Sequence, residues 1–204
     1  RERIIQHYGL DQSLWKQGLR YFQNVLQGDF GDSYYFKASV AQVIAERLPQ
    51  TLLLVIPSVI FSSLIGIPLG FIAAKSAHPI LSSGIPLWAT LLNSLPIFWL
   101  AYLLILTFSV SLEWFPTKGM VNVRLMNTGI YYFLDVLHHL ALPLLTMVLS
   151  QLAQILLLTR ARLREEIKKP YFRTALSKGL SQQKATTHHA LPNAILVTNA
   201  SASS

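Results

Sequence analysis

Residues 136–159 read VLHHLALPLLTMVLSQLAQILLLT, and residues 160–169, directly after, read RARLREEIKK. The first stretch has no Asp, Glu, Lys or Arg. It exceeds the roughly 20 residues that an α-helix, rising about 1.5 Å per residue, needs to cross a hydrocarbon core about 30 Å thick. The second stretch is a dense basic run, the charge pattern of a loop that stays on the inner side of a membrane, because Lys and Arg resist translocation. Working outward, residues 48–74 and 76–112 are equally free of charge. With 52% hydrophobic and 13% charged residues gathered in blocks, the chain has too little polar sequence to cover three such helices as the interior of a soluble domain. The expected fold class is an all-α integral membrane protein, a bundle of spanning helices.

Of the 17 basic residues, eight (Arg160, Arg162, Arg164, Lys168, Lys169, Arg173, Lys178 and Lys184) lie in residues 160–192, against only Glu165 and Glu166. A pI near 9.9 can signal nucleic-acid binding, but a basic loop hard against an apolar span excludes nucleic acid as the partner and points to membrane lipid. With 160–192 inside, spans are expected at about 51–74, 85–112 and 140–159, and residues 1–49 and 113–138 fall outside. The chain divides accordingly into an extracytoplasmic helical segment, 1–49, and a membrane domain, 50–204. An apolar stretch from about residue 193 stops short of a full crossing, and an exported first segment that begins at Arg1 needs something upstream to export it. Both ends therefore read as truncated. The absence of cysteine leaves no disulfide framework and no thiolate metal site.

The outer segment reads as two short helices. Asp11 is placed to cap one with an apolar face of Leu14, Trp15, Leu19, Phe22 and Leu26, broken by Gln27-Gly28-Asp29-Phe30-Gly31-Asp32. Ser39 and Gln42 form a capping box for the other, which carries Val40, Val43, Ile44 and Leu48 into the first span.

Within the spans, Ser58, Ser62, Gly66 and Gly70 recur every four residues, a stripe of small side chains that permits close helix packing. Pro57, Pro68, Pro86, Pro96 and Pro143 each remove a backbone donor and can kink a helix. Ser150, Gln151 and Gln154 share one side of the third span with Met147. Amides are costly against lipid, so this side faces water along a translocation path or bonds to neighbouring helices, and both readings stand. The pairs His138-His139 and His188-His189 point about 100° apart on a helix and do not chelate one ion from one face. No HExxH, GxSxG or GxxxxGK[ST] occurs and no acid pair lies inside a span, so no catalytic residue and no metal site is expected, and an intramembrane enzyme is disfavoured.

The basic loop has internal order. Tyr171 and Phe172, Ala175 and Leu176, then Gly179 and Leu180 place apolar pairs every four residues, with Arg173 and Lys178 between them, which predicts a short amphipathic helix ended by Gly179. A second short helix runs toward His188, and Leu191-Pro192 opens the next span.

Arg173-Thr174-Ala175, three residues, Gly179, nine residues, then His189-Ala190-Leu191-Pro192 resembles the cytoplasmic signature of the binding-protein-dependent ABC importer permeases, EAA, three residues, Gly, nine residues, I-x-L-P. Arg replaces the first Glu and His the Ile. Tyr171 through Ala175 with Lys178-Gly179-Leu180-Ser181 looks like the dipeptide, oligopeptide and nickel branch of that family. So do Gly9-Leu10-Asp11, Gly28-Asp29-Phe30-Gly31, Arg47-Leu48-Pro49, Gly66-Ile67-Pro68-Leu69-Gly70 and Ser94-Leu95-Pro96-Ile97-Phe98-Trp99. The resemblance covers essentially the whole chain.

It implies an ABC type I importer transmembrane domain in a bacterial inner (plasma) membrane, a peptide permease subunit rather than an enzyme, with residues 160–192 forming coupling helices that dock on a cytoplasmic ATPase subunit. The implied partners are a second permease subunit, two ATP-binding cassette subunits and an extracytoplasmic solute-binding protein. ATP and Mg belong to the ATPase, and no cofactor is expected on this chain. Nickel and glutathione are the other substrates of the branch. The alternative is an ATP-independent secondary transporter or channel, which needs ionisable groups inside its spans, and none is present there.

Overall fold

The computed structural model describes residues 13–122 and 128–194. The expectations resting on Gly9-Leu10-Asp11, and the continuation of the last span past residue 194, lie outside them. The chain resolves into two compact units, Arg1–Leu53 and Leu54–Ser204.

In the first unit, helix α1 (Leu14–Leu26) starts at Ser13 and buries none of its residues, so Leu14, Trp15, Phe22 and Leu26 stand exposed. The predicted break follows, with the Gly31 amide donating to Asp29 Oδ1 at 2.9 Å. It leads into a minimal antiparallel hairpin, β1 (Asp32–Ser33) with β2 (Ala38–Ser39), that the helical reading did not anticipate. Lys37 adopts φ 51 to close it, a conformation that sequence pattern does not announce in a lysine. The Gln42 amide donates to Ser39 Oγ at 3.2 Å, which is half of the capping box. The Gln42 side chain turns forward to Glu46 instead of back.

Helix α2 (Val40–Lys75) then runs without interruption, so the predicted surface helix and the first span are one element. Pro49, Pro57 and Pro68 all lie inside it. Helix α5 (Ile130–Glu166) is equally continuous through Pro143. Among the described residues, α2 and α5 are the helices long and apolar enough to cross a membrane alone.

The second expected span, 85–112, is the main departure. A π-type stretch, Ile80–Gly84, leads into α3 (Ile85–Ser94), and α4 (Ile97–Leu104) continues into another, Ile105–Ser111. The two halves meet at 98°. The break falls at Pro96: Leu95, the residue before it, is extended at φ −83, ψ 129, the conformation that proline favours in its predecessor.

Helix α3 packs on α5, with Ala89, Leu152, Ala153 and Leu156 buried together. After Ser111 the chain is strapped back over the first turns of α5. His138 Nε2 donates to the Trp114 carbonyl at 2.8 Å, and the Asn122 amide donates to Asp135 Oδ2 at 2.6 Å.

Candidate functional site

The basic loop begins where α5 ends. Residues 167–169 reverse the chain in short turns, with the amides of Lys168 and Lys169 donating to the carbonyls of Glu165 and Glu166 at 3.1 Å. Helix α6 (Pro170–Ser177) follows, with proline at its first position, where a missing N–H costs nothing. It ends as predicted at Gly179, which has φ +87. The Leu180 amide donates to the Ala175 carbonyl at 3.3 Å and the Gly179 amide to the Leu176 carbonyl at 2.9 Å, the paired bonds of a Schellman turn. Ser181 then caps α7 (Gln182–Ala185), its Oγ accepting from the Lys184 amide. The helical path continues without a break through Thr186–Ala190 and residues 191–194, so Leu191 and Pro192, expected to open the next span, instead lie within a helical run that begins at Gln182.

The apolar face of α6 is directed inward. Phe172 is 2% exposed and packs with Leu163 of α5 and with Ala185, Ala190 and Ala194; Tyr171, Ala175, Leu180 and Leu191 complete the cluster with Phe71 and Ala74 of α2. This face is not free to enter a partner's groove: the chain's own helix ends use it, because Phe172 finds there the apolar partners that water would deny it. What remains outward is Arg173, Thr174, Leu176, Ser177 and Lys178. A groove of about 390 Å3 lined by Tyr171, Thr174, Ala175, Lys178, Leu180 and His189 lies beside them.

A carboxylate holds the base of this loop. Glu166 is 5% exposed. It accepts from Lys169 Nζ and, at 2.6 Å, from the Tyr171 hydroxyl. Asn193 Nδ2 donates in turn to the Tyr171 oxygen at 3.4 Å. Burial pushes the Glu166 carboxyl up, but the hydrogen bonds from Lys169 and Tyr171, with the charges of Lys169 and Arg162, outweigh it and hold the group below the usual carboxylate range. Burial, then the bond to Glu166, pushes the Tyr171 phenol up. Sequence reasoning missed Glu166, which was counted with Glu165 only as one of two acids among bases. Its one signal is an acid in the last turn of a helix, where the dipole disfavours it. Arg160 was likewise counted only as charge, yet its Nη2 donates to the Ser82 carbonyl at 2.9 Å and so ties α5 to the Ile80–Gly84 stretch.

The small-residue stripe faces α5. Ser58, Ser62, Gly66 and Gly70 are all buried. A Cβ on Gly70 would stand 2.8 Å from both the Leu156 carbonyl oxygen and Thr159 Cβ, so the two backbones approach too closely there for any other residue. Gln151 bridges the seam: Ser62 Oγ donates to its Oε1 at 3.2 Å, and its Nε2 donates to Ser58 Oγ at 3.4 Å. Ser150 is half-buried and Gln154 exposed, neither joining that bridge. Met147 instead lines a cavity of about 260 Å3 with Thr146, Pro143, His139 and residues 116–119. His139 Nδ1 donates to the Asp135 carbonyl at 2.8 Å, so the predicted histidine pair serves the helix start. His188 and His189 lie in the π-type stretch after α7, and His189 borders the loop groove.

Two long helices with charge-free central stretches, a proline-broken helical pair between them and a basic helix-turn-helix packed on their ends define an integral membrane helical bundle with an attached loop domain. Residues 66–202 match the family described as the binding-protein-dependent transport system inner membrane component, and the chain belongs to that family. It is 36% identical over 197 residues to the oligopeptide transport system permease protein AppB of Bacillus subtilis (strain 168), covering 96% of this chain and 61% of that protein. It is 32% identical over 206 residues to the di/tripeptide transport system permease protein DppB of Pseudomonas aeruginosa (strain UCBPP-PA14), covering 94% and 61%. It is 31% identical over 211 residues to the dipeptide transport system permease protein DppB of Escherichia coli (strain K12), covering 95% and 62%. The chain thus spans about three fifths of the length of these relatives.

Proposed function

We propose that this chain serves as a membrane permease subunit of an ATP-driven peptide import system, supplying part of the translocation path and the loop that couples it to an ATPase. The observation that carries the reading is the loop 160–192: a short helix, a glycine turn and a second short helix, packed on the ends of both long helices. A push on such a loop reaches α2 and α5 together. The oligopeptide, di/tripeptide and dipeptide permeases it resembles favour peptide over nickel or glutathione as the cargo.

In this reading the chain lies in a bacterial inner membrane with residues 160–192 in the cytoplasm and residues 1–49 and 113–138 outside. A second permease subunit, two ATP-binding cassette subunits and an extracytoplasmic solute-binding protein complete the system, and the ATPase subunits hold ATP and Mg. The outward strip of Arg173, Leu176 and Lys178 meets an acidic-rimmed cleft of the ATPase, bases steering and Leu176 seating. Met147, Ser150 and Gln154 border the path, while Gln151 pairs helices.

Copurification of the ATP-binding subunit with this permease tests the reading. The triple change Arg173→Ala, Leu176→Ala, Lys178→Ala is expected to weaken association at least about tenfold, as loss of a small cluster of central contacts does. Undiminished association would remove the loop from the coupling role.

A further inference from the structure

Resting on that reading and deepening it, we infer that Glu166 is a positioning residue, a carboxylate clamp that fixes α6 and the following helix to the end of α5 so that displacement of the loop is transmitted rather than absorbed by the turn. The turn itself is only residues 167–169, and the amides of Lys168 and Lys169 make three-residue bonds, poorer in geometry than those of an α-helix. A hinge placed there would let α6 move without moving α5.

Three observations set Glu166 against such a hinge. It is 5% exposed although ionised, and at the C-terminal end of a helix, where both burial and the dipole oppose a negative charge. Its two oxygens are divided between partners on either side of the turn's far end: Lys169 Nζ on Oε1 and the Tyr171 hydroxyl on Oε2. The Tyr171 oxygen is engaged again by Asn193, from the helical residues 191–194. One carboxylate therefore joins, through one phenol, three helical segments: the end of α5, α6 and residues 191–194. Phe172, the neighbour of Tyr171, is sealed beneath by Leu163 and Ala190, so the clamp is backed by packing on the same turn of α6. A buried charge of this kind is worth little as net stability and is best attested as a device that selects one arrangement.

The test uses the full chain in detergent and, separately, its complex with the partner subunits in proteoliposomes. Glu166→Ala, Glu166→Gln and Tyr171→Phe are compared, the last two keeping side-chain volume so that a failure of Glu166→Ala to fold leaves the question answerable. Amide hydrogen exchange of residues 171–177 is expected to speed up about tenfold in Glu166→Ala, as loss of a charge-assisted bond allows, and less in Glu166→Gln and Tyr171→Phe. In the complex, peptide delivered per ATP hydrolysed is expected to fall several-fold in the same order while the ATPase subunit still copurifies. Unchanged exchange in all three variants overturns the clamp. Faster exchange with unchanged peptide per ATP also overturns its transmitting role. If the unsubstituted chain binds no ATPase subunit, the importer reading falls, and the exchange experiment still decides the clamp.

Discussion

The seam between α2 and α5 and the base of the basic loop join helices by opposite means. At the seam, backbones touch because side chains are nearly absent, with Gly70 leaving no room for a Cβ, Gly66 leaving little, and Ser58, Ser62 and Gln151 adding a single polar bridge. At the loop, long side chains reach across a turn: Glu166, Lys169, Tyr171 and Asn193 bond to one another above a buried Phe172. A seam of the first kind is stiff against any enlargement and indifferent to pH. A joint of the second kind tolerates small changes of volume and depends on charge. The difference fits the proposed coupling role, in which α2 and α5 would move as one body when the loop is pushed.

The most damaging change should therefore fall on the seam. Gly70→Val places branched carbons where a Cβ alone would meet a carbonyl at 2.8 Å, and the expected cost is about 3 kcal/mol, seen as a lowered midpoint of thermal aggregation in detergent. An unchanged midpoint would mean that the helices separate readily there. Gly179→Val comes next. Nothing lies within 4 Å of a Cβ at that position, so its cost is purely that of φ +87, about 1–2 kcal/mol. Gly179→Asn should recover most of that cost, read as the midpoint of thermal aggregation in detergent, since asparagine enters the left-handed region more readily. If Asn and Val behave alike, the turn geometry is not what matters.

Acid should loosen the loop and spare the seam. The Glu166 carboxyl is held below its ordinary 4.5 in the folded chain, so its stabilisation is complete above that value and is lost as pH falls through the lower folded value. Hydrogen exchange at residues 171–177 should rise on acidification in that window beyond the intrinsic chemical trend, and Glu166→Gln should abolish the dependence. The smallest effect is expected for Gln151→Leu, about 1 kcal/mol in the aggregation midpoint, for two interhelical bonds at the usual worth of about 0.6 kcal/mol each in a membrane protein. A larger loss would make the Ser58-Ser62-Gln151 bridge a determinant of helix pairing in its own right.

What the sequence disclosed follows the same division. Charge-free runs and a four-residue repeat of small side chains are periodic and local, so α2, α5 and the stripe between them were legible. The loop's order was legible too, because Gly179 and the apolar pairs carry it. The Glu166 clamp was not, since it depends on which side chains a three-residue turn brings together. The inward direction of Phe172 escaped for a related reason: an amphipathic helix shows that one face is buried and never against what. Proline gave the least help. Pro49, Pro57, Pro68 and Pro143 sit in unbroken helices while Pro96 marks a 98° bend, and their local sequences do not sort them.

That bend has a consequence for whatever surrounds the chain. Where a helix stops and restarts, the last carbonyls of one half and the first amides of the other lose their partners within the helix, and hydrocarbon offers them none. Ser94, Leu95 and Pro96 are exposed in this chain. Lipid tails are therefore the wrong neighbour for the corner: it is a point of polar demand set in an apolar stretch, to be met by water or by another protein surface.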